Sequence, residues 1–191
     1  MKKRKISDFV TFVPGVNPTR IEKQYDMKEL VYYDQTAFEQ DYNHIEEQIE
    51  ENNRETLPDI LPLQTGDVII SNSLQRAAIV GPANAGKILS LNFTKVKFQS
   101  VDLDKDYFLY LFNAYRDVQR QKERELQGAT ILRIPIKALN QLVIPVLDLE
   151  EQVKIGSAYR EVVKLRTRCN RYGELLELFA SQVFEENLKE E

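Results

Sequence analysis

Apolar and polar positions follow three rhythms along this chain, and each predicts a different kind of element. Ile6 to Val13 is apolar enough for a first strand or short helix. Pro14-Gly15 then turns the chain before the polar loop Asn17-Pro18-Thr19-Arg20. Leu30 to Tyr33 reads as a strand. From Leu63 onward short apolar runs lie between turn residues: Gly66-Asp67 is a turn, and Val68 to Ser71, Ala77 to Val80 and Ile88 to Phe98 are three strands of an antiparallel β region. The period changes at Asp104 to Val118, where Phe108, Leu111, Phe112, Tyr115 and Val118 recur at three- and four-residue spacing and predict an amphipathic helix, its charged end closed by Gly128. Thr130 to Ile134 comes next as a strand, Ile136 to Gln141 as a helical turn and Leu142 to Val146 as a strand, punctuated by Pro135 and Pro145.

A third rhythm governs the rest. Asp148-Leu-Glu-Glu151 has the capping-box pattern, and no proline comes after it, so one long helix is predicted. Ile155, Ala158, Val162, Leu165, Cys169, Tyr172, Leu176, Phe179 and Val183 are spaced alternately three and four residues apart, which is a coiled-coil seam. A helix of this length runs about 60 Å at 1.5 Å per residue, and the preceding part of the chain is too small to cover all of it. The fold class is therefore expected to be α+β: residues 1–147 a globular unit with an antiparallel β region, and 148–191 a long helix suited to dimerisation. Charge gives the helix a direction. Arg160 to Arg171 holds five basic residues and one acidic, and Glu174 to Glu191 six acidic and one basic. Two copies paired antiparallel set basic halves against acidic halves, so an antiparallel helix pair is expected. Tyr159, Val163, Leu175 and Leu178, outside the seam, leave apolar surface for a third helix.

Composition narrows the classes that remain. A chain of 191 residues with one cysteine buries roughly 70% of its unfolded surface and needs neither disulfide nor structural metal to fold. Cys169 is expected as a small seam residue. The start Met-Lys-Lys-Arg-Lys has no apolar run behind it, and no stretch approaches ~18 consecutive apolar residues; a soluble, cytoplasmic protein with no membrane partner is expected. The net charge of −4 is unevenly distributed. Residues 26–62 hold two basic and eleven acidic side chains, with a mobile acidic loop expected at about 41–56, whereas residues 1–25, 63–100 and 116–137 are each net basic. These stretches are candidates for a basic face. His44 is the only histidine and lies in the acidic run, so it reads as a solvated loop residue, and a catalytic triad, Cys-His dyad or multi-histidine metal site, which would have to use it, is disfavoured.

Gly81-Pro-Ala-Asn-Ala-Gly86-Lys87 satisfies a phosphate-loop spacing. Ile88 stands where a Ser or Thr must hold Mg²⁺, however, and the run from Ile88 to Phe98 reads as a strand rather than a helix, so a nucleotide hydrolase is disfavoured. No carboxylate pair suited to acid-base work is evident. The candidates left are polar and basic side chains on turns and strand ends: Asn17, Thr19 and Arg20; Ser71, Asn72, Ser73, Gln75 and Arg76; Asn84 and Lys87; Asn92, Lys95 and Lys97; Thr130 and Arg133. Such residues supply hydrogen-bonding edges for bases and cations for phosphates.

Several stretches together resemble one half of a specificity (S) subunit of type I restriction-modification systems: Gly15-Val-Asn-Pro-Thr-Arg20, Leu63-Gln-Thr-Gly-Asp-Val-Ile-Ile-Ser71, Gly86-Lys87 before a strand, Tyr107-Phe-Leu-Tyr110, Gly128-Ala-Thr130, and Leu142 to Ile155 leading into the long helix. The acidic insertion is unmatched. The resemblance implies a target recognition domain of mixed α/β type with a helix after it that acts as a ruler, in a half-length form with a single recognition domain. It implies a non-catalytic subunit that binds double-stranded DNA. In this family methyltransferase (M) subunits carry S-adenosylmethionine and methylate adenine, and a restriction (R) subunit adds ATP- and Mg-dependent cleavage. This chain itself would hold no cofactor. Pairing with itself, or with a second half subunit, would read a bipartite site, palindromic for a homodimer. The alternative is a DNA-binding dimeric fragment or regulator with no methyltransferase partner.

Overall fold

A computed structural model describes residues 2–25, 30–45, 62–126 and 134–189. In chain order the elements are β1 (Lys2–Lys5), β2 (Val10–Pro14), α1 (Pro18–Tyr25), β3 (Tyr32–Tyr33), α2 (Gln35–Tyr42), β4 (Val68–Ser71), β5 (Arg76–Ile79), β6 (Ile88–Leu89), β7 (Phe93–Phe98), α3 (Lys105–Asn113), α4 (Arg116–Leu126), α5 (Ile136–Leu139), β8 (Val143–Val146) and α6 (Leu149–Lys189). Four strands form an antiparallel sheet in the order β2-β7-β4-β5; β1 pairs antiparallel with β8, and β3 parallel with β6.

Alternation along the strands gives the four-stranded sheet two apolar faces. In register, Val96 lies opposite Phe12 on one side and Val68 on the other. That face packs with Phe108, Leu111 and Phe112 of α3 in the larger core. Ile69, Ala78 and Phe93 point to the opposite face, where Tyr33, Ala37 and Phe38 cover them in a second core. A buried side chain of this size contributes about 1.5–3 kcal/mol, so the sheet is held from both sides. The mixed α/β unit with an antiparallel sheet and a long final helix is the class expected from the residue pattern.

The local differences have identifiable causes. A 3-10 turn at Ile6–Asp8 separates β1 from β2. Asn17-Pro18-Thr19-Arg20 is not a loop: Pro18 opens α1, as proline does at first helical positions. Helix α2 is not among the expected elements, although Asp34 caps it, the Oδ1 accepting the Ala37 N–H at 2.8 Å. The run 88–98 is two strands, and its first part pairs parallel rather than antiparallel. The helix over 104–118 is two helices, broken at Ala114. The Phe112 carbonyl freed there accepts from Lys122 Nζ at 2.7 Å and Gln119 Nε2 at 2.7 Å. Thr130 to Arg133 and most of the acidic loop, 46–56, lie outside the described residues; Asp41 and Tyr42, at the start of that stretch, belong to α2.

Helix α6 docks on the domain by its N-terminal part, as far as Arg166. Gly156 permits the approach, because a Cβ there would lie 2.5 Å from the Tyr107 backbone N. Gln152, 1% exposed, donates through Nε2 to Asp102 O at 2.9 Å and Leu147 O at 2.8 Å and accepts the Asp104 N–H at 3.0 Å. Ile155 and Tyr159 pack against the larger core, and Val163 is buried. These contacts correct two expectations: Ile155 is turned partly to its own domain rather than fully to the seam, and Tyr159 and Val163 are not free surface for a third helix. Heptad spacing cannot distinguish neighbouring helix faces when a glycine lets one of them close on the domain. From Ala158 to Phe179 the other seam residues are exposed, Val162, Leu165 and Tyr172 at 63%, 61% and 66%.

Candidate nucleic-acid interface

The β4–β5 hairpin carries a polar turn, and its side chains divide into two groups. Ser71 and Asn72 are buried and spent internally. Ser71 Oγ lies 3.2 Å from Ser73 Oγ and accepts the Leu74 N–H, while Asn72 Nδ2 donates to Leu91 O and its Oδ1 accepts from Thr94 Oγ1 at 2.9 Å. These bonds shape the hairpin. Ser73 and Arg76 are exposed and Gln75 half-buried. Gln75 has φ 53°, a left-handed conformation that sharpens the turn. Two groups from α3 and α4 hold it. Asn113 pairs with both backbone groups of Ala77, at 2.7 and 2.8 Å, and the buried Lys122 ammonium donates to Gln75 O at 2.9 Å and to Phe112 O. Burial, aided by the nearby Arg76 charge, pulls the Lys122 pKa down to about 8. Lys122 was not legible as a positioning residue, since in sequence it is one of many lysines in a charged helix.

The Gly81 to Lys87 segment is a turn leading into β6, with a 3-10 turn at Pro82–Asn84 and no helix after it. Asp41 pins it. The carboxylate accepts from Tyr33 Oη at 2.7 Å, the Gly81 N–H at 2.9 Å and Asn84 Nδ2 at 3.0 Å, and burial raises its pKa against these donors. Asn84 is thus buried, and Lys87 Nζ is bonded to Asn84 Oδ1 at 2.7 Å. Beside this turn, a cleft of about 440 Å³ is lined by His44, Asp41, Ile45, Asp106 and Arg160 among others. His44 therefore faces a cleft at the end of α2 rather than solvent, and burial lowers its pKa. Among the described residues no group of three or more His, Cys, Asp or Glu is arranged to hold a metal ion.

The remaining candidates are spread over two regions. Lys95 and Lys97 lie on the same sheet face as Arg76, as the pairings Ile69–Lys95, Ile69–Ala78 and Ser71–Arg76 require. Lys95 is paired with Asp67, and Lys97 is exposed. Asn17 and Arg20 are exposed at the start of α1, beside the Val16–Ser90 bridge. Gly15 sits so close to this bridge that a Cβ would meet Ser90 O at 2.0 Å. Thr130 and Arg133 lie outside the described residues.

The domain thus presents a two-faced sheet carrying a polar hairpin, with a long helix leaving one end. The type I restriction modification DNA specificity domain matches residues 1–178. The chain belongs to that family. Solved structures share the fold: an HsdS subunit from Thermoanaerobacter tengcongensis is 16% identical, with 90% of this chain and 39% of that chain covered and a TM-score of 0.57. A type I restriction-modification system S subunit from M. genitalium is 17% identical, with 94% and 41% covered and a TM-score of 0.51. A structure described as bearing on complex assembly and conformational transition of the type I R-M system is 17% identical over 95% and 44%, with a TM-score of 0.59. This chain spans about two fifths of the length of those chains. No curated protein matches it.

Proposed function

We propose that this chain is the DNA-reading subunit of a type I restriction-modification complex and directs adenine methylation by partner M subunits to a bipartite site. Two copies pair antiparallel through α6, so that two recognition domains address the two halves of one palindromic sequence. The observation that carries this reading is the seam: a chain of a DNA specificity family bears a 41-residue helix whose seam from Ala158 to Phe179 is exposed, its basic and acidic halves complementary in antiparallel order. S-adenosylmethionine belongs to the M subunits, and ATP and Mg to an R subunit. In the domain, Ser73, Gln75, Arg76, Lys97, Asn17 and Arg20 meet the DNA, while Ser71, Asn72 and Asn84 shape the loops that present them. Lys87 and Lys95, already bonded to Asn84 and Asp67, contribute less.

Modified-base sequencing of genomic DNA from cells expressing this chain with its M subunit, against cells expressing the M subunit alone, tests the reading. A new bipartite palindrome carrying methyladenine is the expected result. A nonpalindromic bipartite motif would replace the second copy by a different recognition unit. No new motif, with DNA binding retained, would favour a regulator that works without a methyltransferase. That alternative gains some ground from the burial of Val163 and the partial burial of Tyr159, which leave Leu175 and Leu178, 48% and 63% exposed, as the free surface of that group for an M-subunit helix.

A further inference from the structure

Tyr42, the last residue of α2, occupies the corner where the domain meets the long helix, and two cations lie on its ring. The Arg76 guanidinium carbon is 5.2 Å from the ring centroid and that of Arg166 5.5 Å. They come from different elements: Arg76 opens β5 directly after the hairpin turn, and Arg166 lies on α6, three residues beyond the buried Val163. Tyr42 is itself held, stacked on Phe38 with centroids 6.0 Å apart.

The charge balance of this corner is unusual for an acidic chain. Arg160, Lys164 and Arg171 on the same helix are paired with Asp106, Glu161 and Glu174. Arg76 and Arg166 are exposed, and neither has a carboxylate partner among the described residues. The Lys122 ammonium adds a third positive charge close to Arg76. Arg166 lies between the domain-facing side of α6 marked by Val163 and the edge of the Val162 and Leu165 seam, and its guanidinium is turned onto the Tyr42 ring. An aromatic ring holds guanidinium groups in place at low entropic cost, and their planar forks match phosphate oxygens.

Resting on the reading of this chain as a DNA-recognition unit, we infer that Arg76 and Arg166, arrayed on Tyr42, form a binding site for the DNA phosphodiester backbone at the junction of domain and helix. The long helix is then a DNA contact as well as a spacer. Backbone held at this corner ties the DNA read by the hairpin to the direction in which α6 departs, and so to the separation of the two half-sites.

Fluorescence anisotropy of a labelled duplex with the full chain, titrated from about 50 to 200 mM salt, tests the site. Each phosphate contact steepens the fall of log affinity with log salt by about 0.9. Arg76→Gln and Arg166→Gln are each expected to flatten the slope by about that amount and to weaken binding several-fold at low salt, equally on target and unrelated duplexes. Arg168→Gln, whose guanidinium is not on Tyr42, should retain the slope; an equal loss there would replace the site by diffuse charge and overturn the inference. An unaltered slope in Arg166→Gln with a lowered thermal midpoint would assign Arg166 to packing and overturn it too. Wild-type chain that binds no duplex at any salt would instead remove the functional reading, and this inference with it.

Discussion

The globular domain and the outer part of α6 treat the same residue types in opposite ways. In the domain Phe38 and Phe108 are completely buried and Phe9 and Phe112 are 1% exposed, whereas on the helix Leu165, Phe179 and Phe184 are 61%, 67% and 66% exposed. A mixed sheet-and-helix unit closes its apolar surface with its own chain. A single helix extending past its domain has no second layer and must borrow one. The same apolar residue types therefore build a core in one region and stand exposed in the other.

The change that strikes this contrast hardest is Leu165→Asp with Leu176→Asp. Each buried leucine is worth about 1.5–3 kcal/mol, and each occurs twice in a homodimer, so a solution mass measurement should show dimer converted to monomer while the domain's thermal midpoint stays near wild type. An unchanged mass would refute the seam.

Gly156→Ala attacks the boundary between the two regions. Its Cβ would press on the Tyr107 backbone, which cannot withdraw without moving α3; a loss of about 1–3 kcal/mol is expected from overpacking of this kind, read by urea unfolding. Inside the domain, Asp41→Ala strands the Tyr33 hydroxyl, the Gly81 N–H and the Asn84 amide. Unsatisfied buried groups cost about 1–3 kcal/mol, which thermal unfolding should register.

A smaller effect separates presenting residues from shaping ones. Lys97→Gln should flatten the salt dependence of DNA binding by about 0.9 in log-log slope, whereas Lys87→Gln should change it little, because that ammonium is already bonded to Asn84. The smallest effect is a pH signature of Lys122. Its pKa is about 8 in the fold against 10.5 as the ordinary value, so between those values the unfolded chain binds more protons than the folded one. Its contribution to stability is accordingly flat below about pH 8 and rises toward pH 10.5. Over that window the stability advantage of wild type over Lys122→Met should widen in denaturant melts.

Much of this was legible in the residues, and the reasons differ by level. Val68–Ser71 and the single long helix from Leu149 follow from local pattern, because strand alternation and helix capping act between neighbours in the chain. The absence of a helix after Lys87, which argues against nucleotide binding, was equally local. Helix α2 was not anticipated, because a helix of eight residues leaves too short a periodic pattern, although Asp34 caps it. The site was less accessible. Nothing in sequence distinguishes exposed Ser73 from buried Ser71, or free Lys97 from Lys95 bonded to Asp67.

The sequence by itself determined the class of fold, the family and the heptad seam, since period, caps and turn residues are properties of consecutive positions. Only the tertiary structure decided which neighbouring face of α6 the domain covers, which polar side chains are spent on holding loops, and that Arg76 and Arg166, 90 positions apart in number, share the ring of Tyr42. Those outcomes depend on which distant backbones approach closely enough to pack and hydrogen-bond, and such approaches are set by the closing of the whole core.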